Sequence, residues 1–252
     1  NASQNPNLNC ISVDDAAWST ANWTDIDSHT SFSDDCDAKT YVPDDNFEAY
    51  LETHDASGNV VSVGDANSMG DGIANNDYVT TANISGVTSL DVNNQNIADL
   101  TGIEDFVDIH TLKCHQNQLN SIDISSLSNL HTFYCFENQL SSLSVNSNTV
   151  LQNLHCYSNQ LTSIDISQNI VLYDLIIDRN QLINLDLSYN TNLWRLYCFD
   201  NQITNLDVTQ NTALTEIQVQ NNQLTSLDVS QNTSLEKLHC FGNSISSLNV
   251  SQ

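Results

Sequence analysis

The feature that most constrains the fold of this chain is an asparagine that returns every 21 residues. One copy, Asn159, lies within LHCYSNQLTSIDISQN, residues 154–169. The same spacing relates Asn117, Asn138, Asn159, Asn180, Asn201, Asn222 and Asn243. A period of this length means that each repeat is one small structural unit, whose apolar side chains are buried only when neighbouring units stack on it.

An apolar pattern surrounds each of these asparagines, at positions −8, −5, −3, +2, +5 and +7 counted from the asparagine. For Asn159 these positions hold Leu151, Leu154, Cys156, Leu161, Ile164 and Ile166. Around positions −4 and +6 the residues alternate between apolar and polar, which is the period of a short strand. Two such segments per repeat, separated by asparagine-rich turns, predict a mostly β solenoid with a parallel sheet on each side of the coil. A second asparagine column at +10 marks the other turn, at Asn148, Asn169, Asn190, Asn211 and Asn232.

Three regions are predicted along the chain. Residues 87–252 form the solenoid of about eight repeats, the first of them degenerate around Gln95, and no capping sequence follows the last. We therefore expect further repeats or another chain at this end, since an uncapped solenoid exposes part of its core. Residues 39–86 form an N-terminal cap, where VPDDNFEAYLETH places Phe47, Tyr50, Leu51 and His54 on one face of a short helix. Residues 1–38 resemble the last strand and cap of a preceding repeat block.

Charge and hydropathy argue against nucleic acid as a partner and against membrane insertion. The chain has five Lys and Arg residues against 31 Asp and Glu residues, a formal net charge of −26. Such a charge repels the phosphate backbone, so nucleic acid is not an expected partner. Membrane insertion is not expected either, because no apolar run approaches the roughly 18 residues that a membrane span needs.

The seven cysteines fall into two groups. Five of them occupy position −3 of the repeat, where Ile177 and Val219 stand in other coils, so this position selects a small apolar side chain. The five are Cys114, Cys135, Cys156, Cys198 and Cys240. A ladder of metal ligands or disulfides fits poorly because two coils lack the thiol. Cys10 and Cys36 lie outside the repeats and are a candidate disulfide if the chain is secreted. Between them, Trp18, Trp23 and Phe32 are candidate buried anchors.

The loop DASGNVVSVGDANSMGDGIANNDYV is rich in Asp, Asn and Gly. Asp65, Asn67 and Asp71 follow the spacing of a calcium loop, but Met69 occupies a ligand position and no Glu closes the loop. A structural loop without metal and a calcium site both fit this segment. No other cofactor is expected.

The repeat pattern LxxLxCxxNQLTSLDVSxNTxL resembles the leucine-rich repeat, in particular the bacterial class of 21 residues with a second strand at LDV. The resemblance covers residues 87–252. The segments TYVPDDNFEAYL and ANISGVTSLDV, and the region 1–38, are similar to parts of large secreted surface proteins of Bacteroidetes-type bacteria. The resemblance implies a secreted or cell-surface module for recognition or adhesion, without a catalytic motif.

The outward positions of the first strand collect aromatic residues, His and most of the scarce cations. The predicted binding face consists of Lys113, His115, Tyr134, Phe136, His155, Tyr157, Asp178, Arg195, Tyr197, Phe199, His239 and Phe241. Exposed rings in register are typical of binding surfaces, because they offer a large contact area at a low entropic cost. A protein partner is the first hypothesis for this face, and a polysaccharide that stacks on the rings is the alternative. Stacking that only stabilises the sheet is also compatible with the pattern.

The opposite side carries an aspartate column at +6, interpreted as hydrogen-bonded turn residues or, alternatively, as a cation ladder. Its charge argues against an ice-binding surface. Catalysis is not expected, because His155 and Asp178 would be roughly 7–8 Å apart on adjacent coils and no nucleophile motif accompanies them.

Overall fold

The computed structural model describes residues 10–12, 16–23, 31–33 and 38–251. At the start of the chain, strand β1 (Cys10–Ser12) pairs in parallel with β2 (Ser31–Ser33), and helix α1 (Ala16–Asn22) lies between them in sequence. Trp18 is 56% and Trp23 49% exposed, so the prediction that they are buried anchors is wrong. The described elements around them, two three-residue strands and one helix of seven residues, are too short to enclose an indole. Cys36 lies outside the described residues, and so does the predicted disulfide.

A compact cap precedes the solenoid. Strand β3 (Lys39–Tyr41) pairs antiparallel with β4 (Tyr78–Thr80), and helices α2 (Asp45–Thr53) and α3 (Thr81–Ile84) lie against them. The predicted helix is confirmed, with Phe47 and Leu51 buried, although His54 lies just beyond its end. Asp44 caps the helix by accepting the N–H groups of Asn46 and Phe47, and its other oxygen accepts those of Ala98 and Asp99. One carboxylate thus joins the cap to the first coil.

Two buried glutamates on α2 hold the loop that follows. Glu48 accepts the N–H groups of Asn76 and Asp77, and Glu52 accepts those of Asp71 and Gly72. A β-carbon at Gly70 would lie 2.1 Å from the Glu52 carboxyl group, so any other residue at this position would displace that carboxylate from the N–H groups that it binds. The cap loop is therefore ordered by carboxylate-to-backbone hydrogen bonds rather than by an apolar core of its own.

The solenoid is built on an eight-stranded parallel sheet in which the strands follow chain order, with one strand skipped. Its strands are β5 (Ser89–Asp91), β6 (Thr111–Lys113), β7 (Thr132–Tyr134), β8 (Asn153–His155), β9 (Asp174–Ile176), β10 (Arg195–Tyr197), β11 (Glu216–Gln218) and β13 (Lys237–His239). Paired residues of β8 and β9 are 21 positions apart, as in Leu154 and Leu175. A short 3-10 helix, Ile103–Asp105, follows the first coil. In the described part of the chain, no helix has the length and hydrophobicity needed to cross a membrane.

The second side of the coil also pairs in parallel, over fewer coils than the repeat pattern predicts. Strand β12 (Ser226–Asp228) pairs with β14 (Ser247–Asn249), and Asn184 bridges Asn205. Along this side the asparagine column at +10 makes many of the bonds between coils. Asn169, for example, donates to the carbonyls of Val145 and Asn148 at 3.0 and 2.8 Å. Side-chain amides thus donate hydrogen bonds between coils on this side, although the buried Asn169 Oδ1 accepts none among the described residues.

The core is one continuous column of apolar side chains. In the coil of Asn159, Leu151, Leu154, Cys156 and Leu161 are all 0% exposed. The thiols at position −3 are free, and burial raises the pKa of Cys198 to about 12. Burial also raises the pKa of Cys114, Cys135 and Cys156, so these four buried thiols remain protonated at neutral pH and pack as apolar groups, as the repeat pattern predicts. In the last coil Leu238, Cys240 and Ile245 are only partly buried.

The repeat asparagine bonds two coils together. Asn159 donates from Nδ2 to the carbonyls of Cys135 and Cys156 at 3.0 and 3.1 Å, and its Oδ1 accepts the N–H of Leu140 at 2.9 Å. Leu140 and Cys135 belong to the preceding coil. The same donor-and-acceptor arrangement recurs at Asn138, Asn180, Asn201, Asn222 and Asn243.

The residue before each repeat asparagine has left-handed backbone geometry. Its φ lies between 51° and 66° in seven coils, at Gln116, Glu137, Ser158, Arg179, Asp200, Asn221 and Gly242. Only the last of these is a glycine, so six coils hold a side chain in a region that L-residues disfavour.

Asn159→Ala should lower the free energy of unfolding by about 1–3 kcal/mol, because a buried N–H and buried carbonyls lose their partners. Gln160→Ala, at the exposed neighbouring position, is the matched control and should change little. Chemical denaturation of both variants measures the difference. Equal stability of the two variants would contradict the role given to Asn159.

Ser158→Gly should leave the protein as stable as before or more stable, by up to about 1 kcal/mol, because glycine relieves the left-handed backbone. Ser163→Gly, at an exposed position without positive φ, should lose about 0.5–1 kcal/mol through the entropy of the unfolded chain. Thermal melts of the pair provide the measurement, and an equal loss in both would show that the turn is unstrained.

Candidate binding face

The outward surface of the eight-stranded sheet, including the two or three residues that follow each strand, is called here the strand face. All of the residues predicted to bind lie on it. They stand six, four or two positions before a repeat asparagine: Lys113, His115, Tyr134, Phe136, His155, Tyr157, Asp178, Arg195, Tyr197, Phe199, His239 and Phe241. The parallel register aligns residues of one position in a column across the coils.

A ring row runs along the first coils of the strand face. His115 stacks on Phe136 with ring centroids 4.1 Å apart, and Phe136 stacks on Tyr157 at 4.3 Å. Beside them Tyr134 stacks on His155 at 4.2 Å. The two faces of the Phe136 ring are thus covered by its neighbours. The stacked rings hold one another in place, so the row presents mainly ring edges and polar ring atoms to a partner.

A charge row lies next to the rings, six positions before the repeat asparagines. Asp174, Arg195, Glu216 and Lys237 occupy neighbouring strands in register and alternate in sign. Arg195 Nε donates to Asp174 Oδ1 at 2.7 Å, and its NH2 group contacts Oδ2. Lys237 Nζ lies 3.4 Å from Glu216 Oε1. The Arg195 guanidinium also lies over the rings of Trp194 and Tyr197, at 5.0 and 5.6 Å.

The prediction did not include Asp174, Trp194 or Glu216. The signal was present, because the column at −6 reads Asp174, Arg195, Glu216, Lys237 in the sequence. Alternating charges on adjacent parallel strands are what cross-strand pairing requires.

His155 finds its partner in Asp174, with Nε2 and Oδ2 3.0 Å apart. Asp178, the acid considered for His155 from the sequence, was expected to be too far away for a direct pair, and Asp174 was not identified. Burial pushes the pKa of Asp174 upward, but the hydrogen bonds from His155 and Arg195 outweigh it and hold the pKa below its usual value. Asp174 is therefore an ionised carboxylate with two cationic or polar donors.

Asp178 is in the opposite situation. Its side chain is 3% exposed, and its contact with a cation is a single one, Arg179 NH1 at 3.2 Å from Oδ2. Arg179 itself is 55% exposed. Burial raises the pKa of Asp178 to about 6, Asp200 of the next coil adds to the rise, and Arg179 only partly opposes it. The strand face thus contains one buried carboxylate whose charge is poorly compensated.

Lys113 pairs with Asp91 at 3.2 Å, and Arg179 lies over the Phe199 ring at 5.1 Å. His239 and Phe241 are exposed, Phe241 by 67%. Together with Lys39, which pairs with Asp71, every Lys and Arg of the chain lies beside a carboxylate.

The calcium candidates belong to the cap, remote from the strand face in sequence. Asp65 accepts the backbone and side-chain N–H groups of Asn67. Asp71 accepts the backbone N–H of Ile73 and the side-chain N–H of Asn76, and it pairs with Lys39 at 3.3 Å. Each carboxylate already has donors from its own loop, so calcium remains a prediction. Within the described residues, the acidic side chains that converge are instead Asp45, Glu48 and Asp77. Both oxygens of Glu48 accept backbone N–H groups.

The aspartates at +6 form turns on the other side of the coil. Each accepts the backbone N–H two residues later at 2.9–3.0 Å, as Asp165 does from Ser167 and Asp186 from Ser188. The backbone and hydroxyl donors of Ser188 lower the pKa of Asp186. This geometry supports the interpretation of the column as hydrogen-bonded turn residues.

A scan against protein-family models and a search of curated proteins each found no match. Solved structures do match, and they agree with this architecture. Among solved structures, the chain is similar to the functional domain of InlJ from Listeria monocytogenes, which includes a cysteine ladder. The TM-score is 0.66 at 30% sequence identity, over 86% of this chain and 50% of that one. It is also similar to internalin C2 of Listeria monocytogenes, with a TM-score of 0.65 at 23% identity, over 82% of this chain and 90% of that one.

A leucine-rich-repeat protein of Leptospira interrogans matches with a TM-score of 0.53 at 23% identity, over 58% of this chain and 44% of that one. The chain spans half the length of the InlJ structure. These neighbours and the observed coils show that the fold is a leucine-rich-repeat solenoid like those of bacterial proteins.

Asp178→Asn should stabilise the protein above pH 6 and leave it unchanged near pH 4. The folded-state pKa of about 6 exceeds the ordinary value of 3.8, so ionisation of Asp178 costs stability that appears as the pH rises between these values. The expected gain at pH 8 is about 1–3 kcal/mol. Denaturation curves between pH 4 and pH 8 measure it.

Asp228→Asn is the matched control on the other side of the coil. Hydrogen bonds from Ser230 lower the pKa of Asp228. Removing this carboxylate should therefore not raise the free energy of unfolding at pH 8. A gain for Asp178→Asn that persisted unchanged at pH 4 would contradict the assignment of the cost to the buried charge.

Proposed function

We propose that this leucine-rich-repeat solenoid is a non-catalytic recognition module that binds a protein partner through the strand face. The stacked ring row beside the charge row is the observation that carries the proposal. Rings held by one another and by ion pairs lose little conformational freedom on binding, which lowers the entropic cost of association. Bacterial leucine-rich-repeat neighbours support the same class of function.

The proposal includes an extracellular or cell-surface location and an origin in a secreted bacterial protein of the Bacteroidetes-type repeat class. The resemblance of the repeat and cap segments supports it, and the net charge of −26 is compatible with it. Adhesion would be the biological consequence of such a location.

A protein partner is preferred over a polysaccharide because of ring geometry. A sugar stacks on an open ring face, whereas both faces of Phe136 are covered by His115 and Tyr157. A polysaccharide would depend instead on Trp194 and Phe241, which are 37% and 67% exposed. The polysaccharide hypothesis can therefore be tested at these two rings.

The chemistry of the face also supports a non-catalytic role. Among the described residues, the hydrogen bond of the His155 ring goes to Asp174, and that carboxylate is shared with Arg195. A general base needs a nucleophile within hydrogen-bond reach, and the ring next to His155 is the stacked Tyr134. The pair of His155 and Asp174 is therefore interpreted as part of the charge row rather than as catalytic.

The double variant Phe136→Ala with Tyr157→Ala should abolish partner binding while the protein still folds. The matched control is Ile183→Ala with Tyr189→Ala, which removes two exposed large side chains outside the strand face. Immobilised wild type and both variants are exposed to the total protein of the source environment, and retained proteins are identified by mass spectrometry and re-measured in purified form. The same three proteins are applied to a glycan array.

The expected result is a protein retained by the wild type and the control and lost from the ring-row variant, with thermal melts confirming folding. Retention by all three would place the binding surface elsewhere. Binding to glycans that requires Trp194 or Phe241, without a retained protein, would establish the polysaccharide reading in its place.

A further inference from the structure

The second half of the strand face contains a group of side chains that the ring row does not involve. Asp178, Phe199 and Gln220 stand two positions before three successive repeat asparagines, so they follow one another on adjacent coils. Asp178 and Gln220 are 2% and 8% exposed, and Phe199 between them is half-buried. Two buried hydrogen-bond acceptors thus flank an aromatic ring.

Neither acceptor is fully used. Gln220 Oε1 is buried and has no hydrogen-bond partner among the described residues. Asp178 meets one nitrogen of a guanidinium that is largely in solvent. Asp174, four residues earlier in the same coil, contacts His155 Nε2 and both Nε and NH2 of Arg195. Of these two buried acids on the strand face, Asp174 is therefore paired with two donor side chains, whereas Asp178 has one weak cationic contact.

Arg179 shows what such a group of residues attracts. Its guanidinium lies over the Phe199 ring at 5.1 Å, with NH1 3.2 Å from Asp178 and Nε 3.8 Å from Asp200. An aromatic ring combined with carboxylates is a recognised environment for a side-chain cation. Because Arg179 is 55% exposed and makes long or single contacts, a cation from outside can take its place at little cost.

We propose that Asp178, Phe199 and Gln220 form a subsite for a lysine or arginine side chain of a basic partner segment, which Arg179 occupies when the partner is absent. The incoming cation lies over Phe199 and pairs with Asp178 and Asp200, while Gln220 accepts a further N–H of the same segment. This inference rests on the proposed function, in which the strand face binds protein, and it specifies the charge of that partner.

The charge of the whole chain favours the same partner. The net charge is −26, and every Lys and Arg lies beside a carboxylate, so a basic segment approaches without encountering an unpaired cation. Long-range attraction of this kind accelerates encounter and weakens with salt. The subsite would add orientation to that attraction, because its acceptors are buried and its ring is fixed.

The test uses a peptide of alternating arginine and glycine with blocked ends, and a glutamate–glycine peptide as the charge-reversed control. Isothermal titration calorimetry at pH 7.5 compares wild type, Asp178→Asn, Phe199→Leu and Arg179→Gln. Asp228→Asn, which removes one aspartate charge from the other side of the coil, is the matched control. Repetition at about 300 mM salt, where the Debye length is well under 10 Å, separates contact from long-range attraction.

The subsite predicts that the arginine peptide binds and the glutamate peptide does not. Asp178→Asn and Phe199→Leu should weaken binding about tenfold, which corresponds to about 1.4 kcal/mol. Arg179→Gln should strengthen it about three- to tenfold, because an internal competitor is removed. A misfolded variant would lose affinity, so a gain in affinity for Arg179→Gln cannot be explained by misfolding.

Unchanged or weaker binding by Arg179→Gln would overturn the subsite. So would an equal loss in Asp228→Asn and Asp178→Asn, since the peptide would then respond only to net charge. The ring-row variants distinguish this failure from failure of the proposed function. A native partner that needs Phe136 and Tyr157 but ignores Asp178 and Arg179 would leave the recognition module standing without the cation subsite.

Discussion

The hydrogen bonds of the repeat asparagine are the interaction on which the rest of the structure depends. Each side-chain amide donates to a carbonyl of its own coil and one of the preceding coil, and accepts an N–H from the preceding coil. These bonds are buried, where an unpaired polar group costs far more than a paired one returns. They therefore fix the turn after the strand and the register of one coil on the next. A shift by one residue would exchange the inward and outward faces of every strand.

The fixed register produces the strand face, which we propose as the binding surface. Residues that are 21 positions apart become neighbours on adjacent strands, so a sequence column becomes a physical row. The ring row and the charge row are both consequences of this arrangement, because stacking and ion pairing need side chains held about one strand spacing apart. The left-handed residue before each asparagine completes the turn at some cost in backbone strain, which packing and hydrogen bonding elsewhere in the coil offset.

Electrostatics divides the strand face into two kinds of region. Asp174 is surrounded by donors and has a pKa below its usual value, whereas Asp178 is buried beside one exposed arginine and has a pKa of about 6. The first carboxylate stabilises the sheet through its ion pairs. The second costs stability at neutral pH, and a partner that supplied a cation would recover that cost. Burial and the number of donors thus distinguish two acids of one surface, one that stabilises the sheet and one that we propose for recognition.

The period, the apolar positions, the turn asparagines and the composition of the outward columns could all be predicted from the sequence, because a repeat multiplies a weak local signal. The thiols at position −3 were understood in the same way, since Ile177 and Val219 stand in the same column. Only the tertiary structure decided which outward side chains contact each other. His155 pairs with Asp174, Phe136 is covered on both faces, and parallel pairing on the second side is limited to a few coils. These outcomes depend on side-chain orientation and on competition among several partners at similar distances, and a column of letters contains neither.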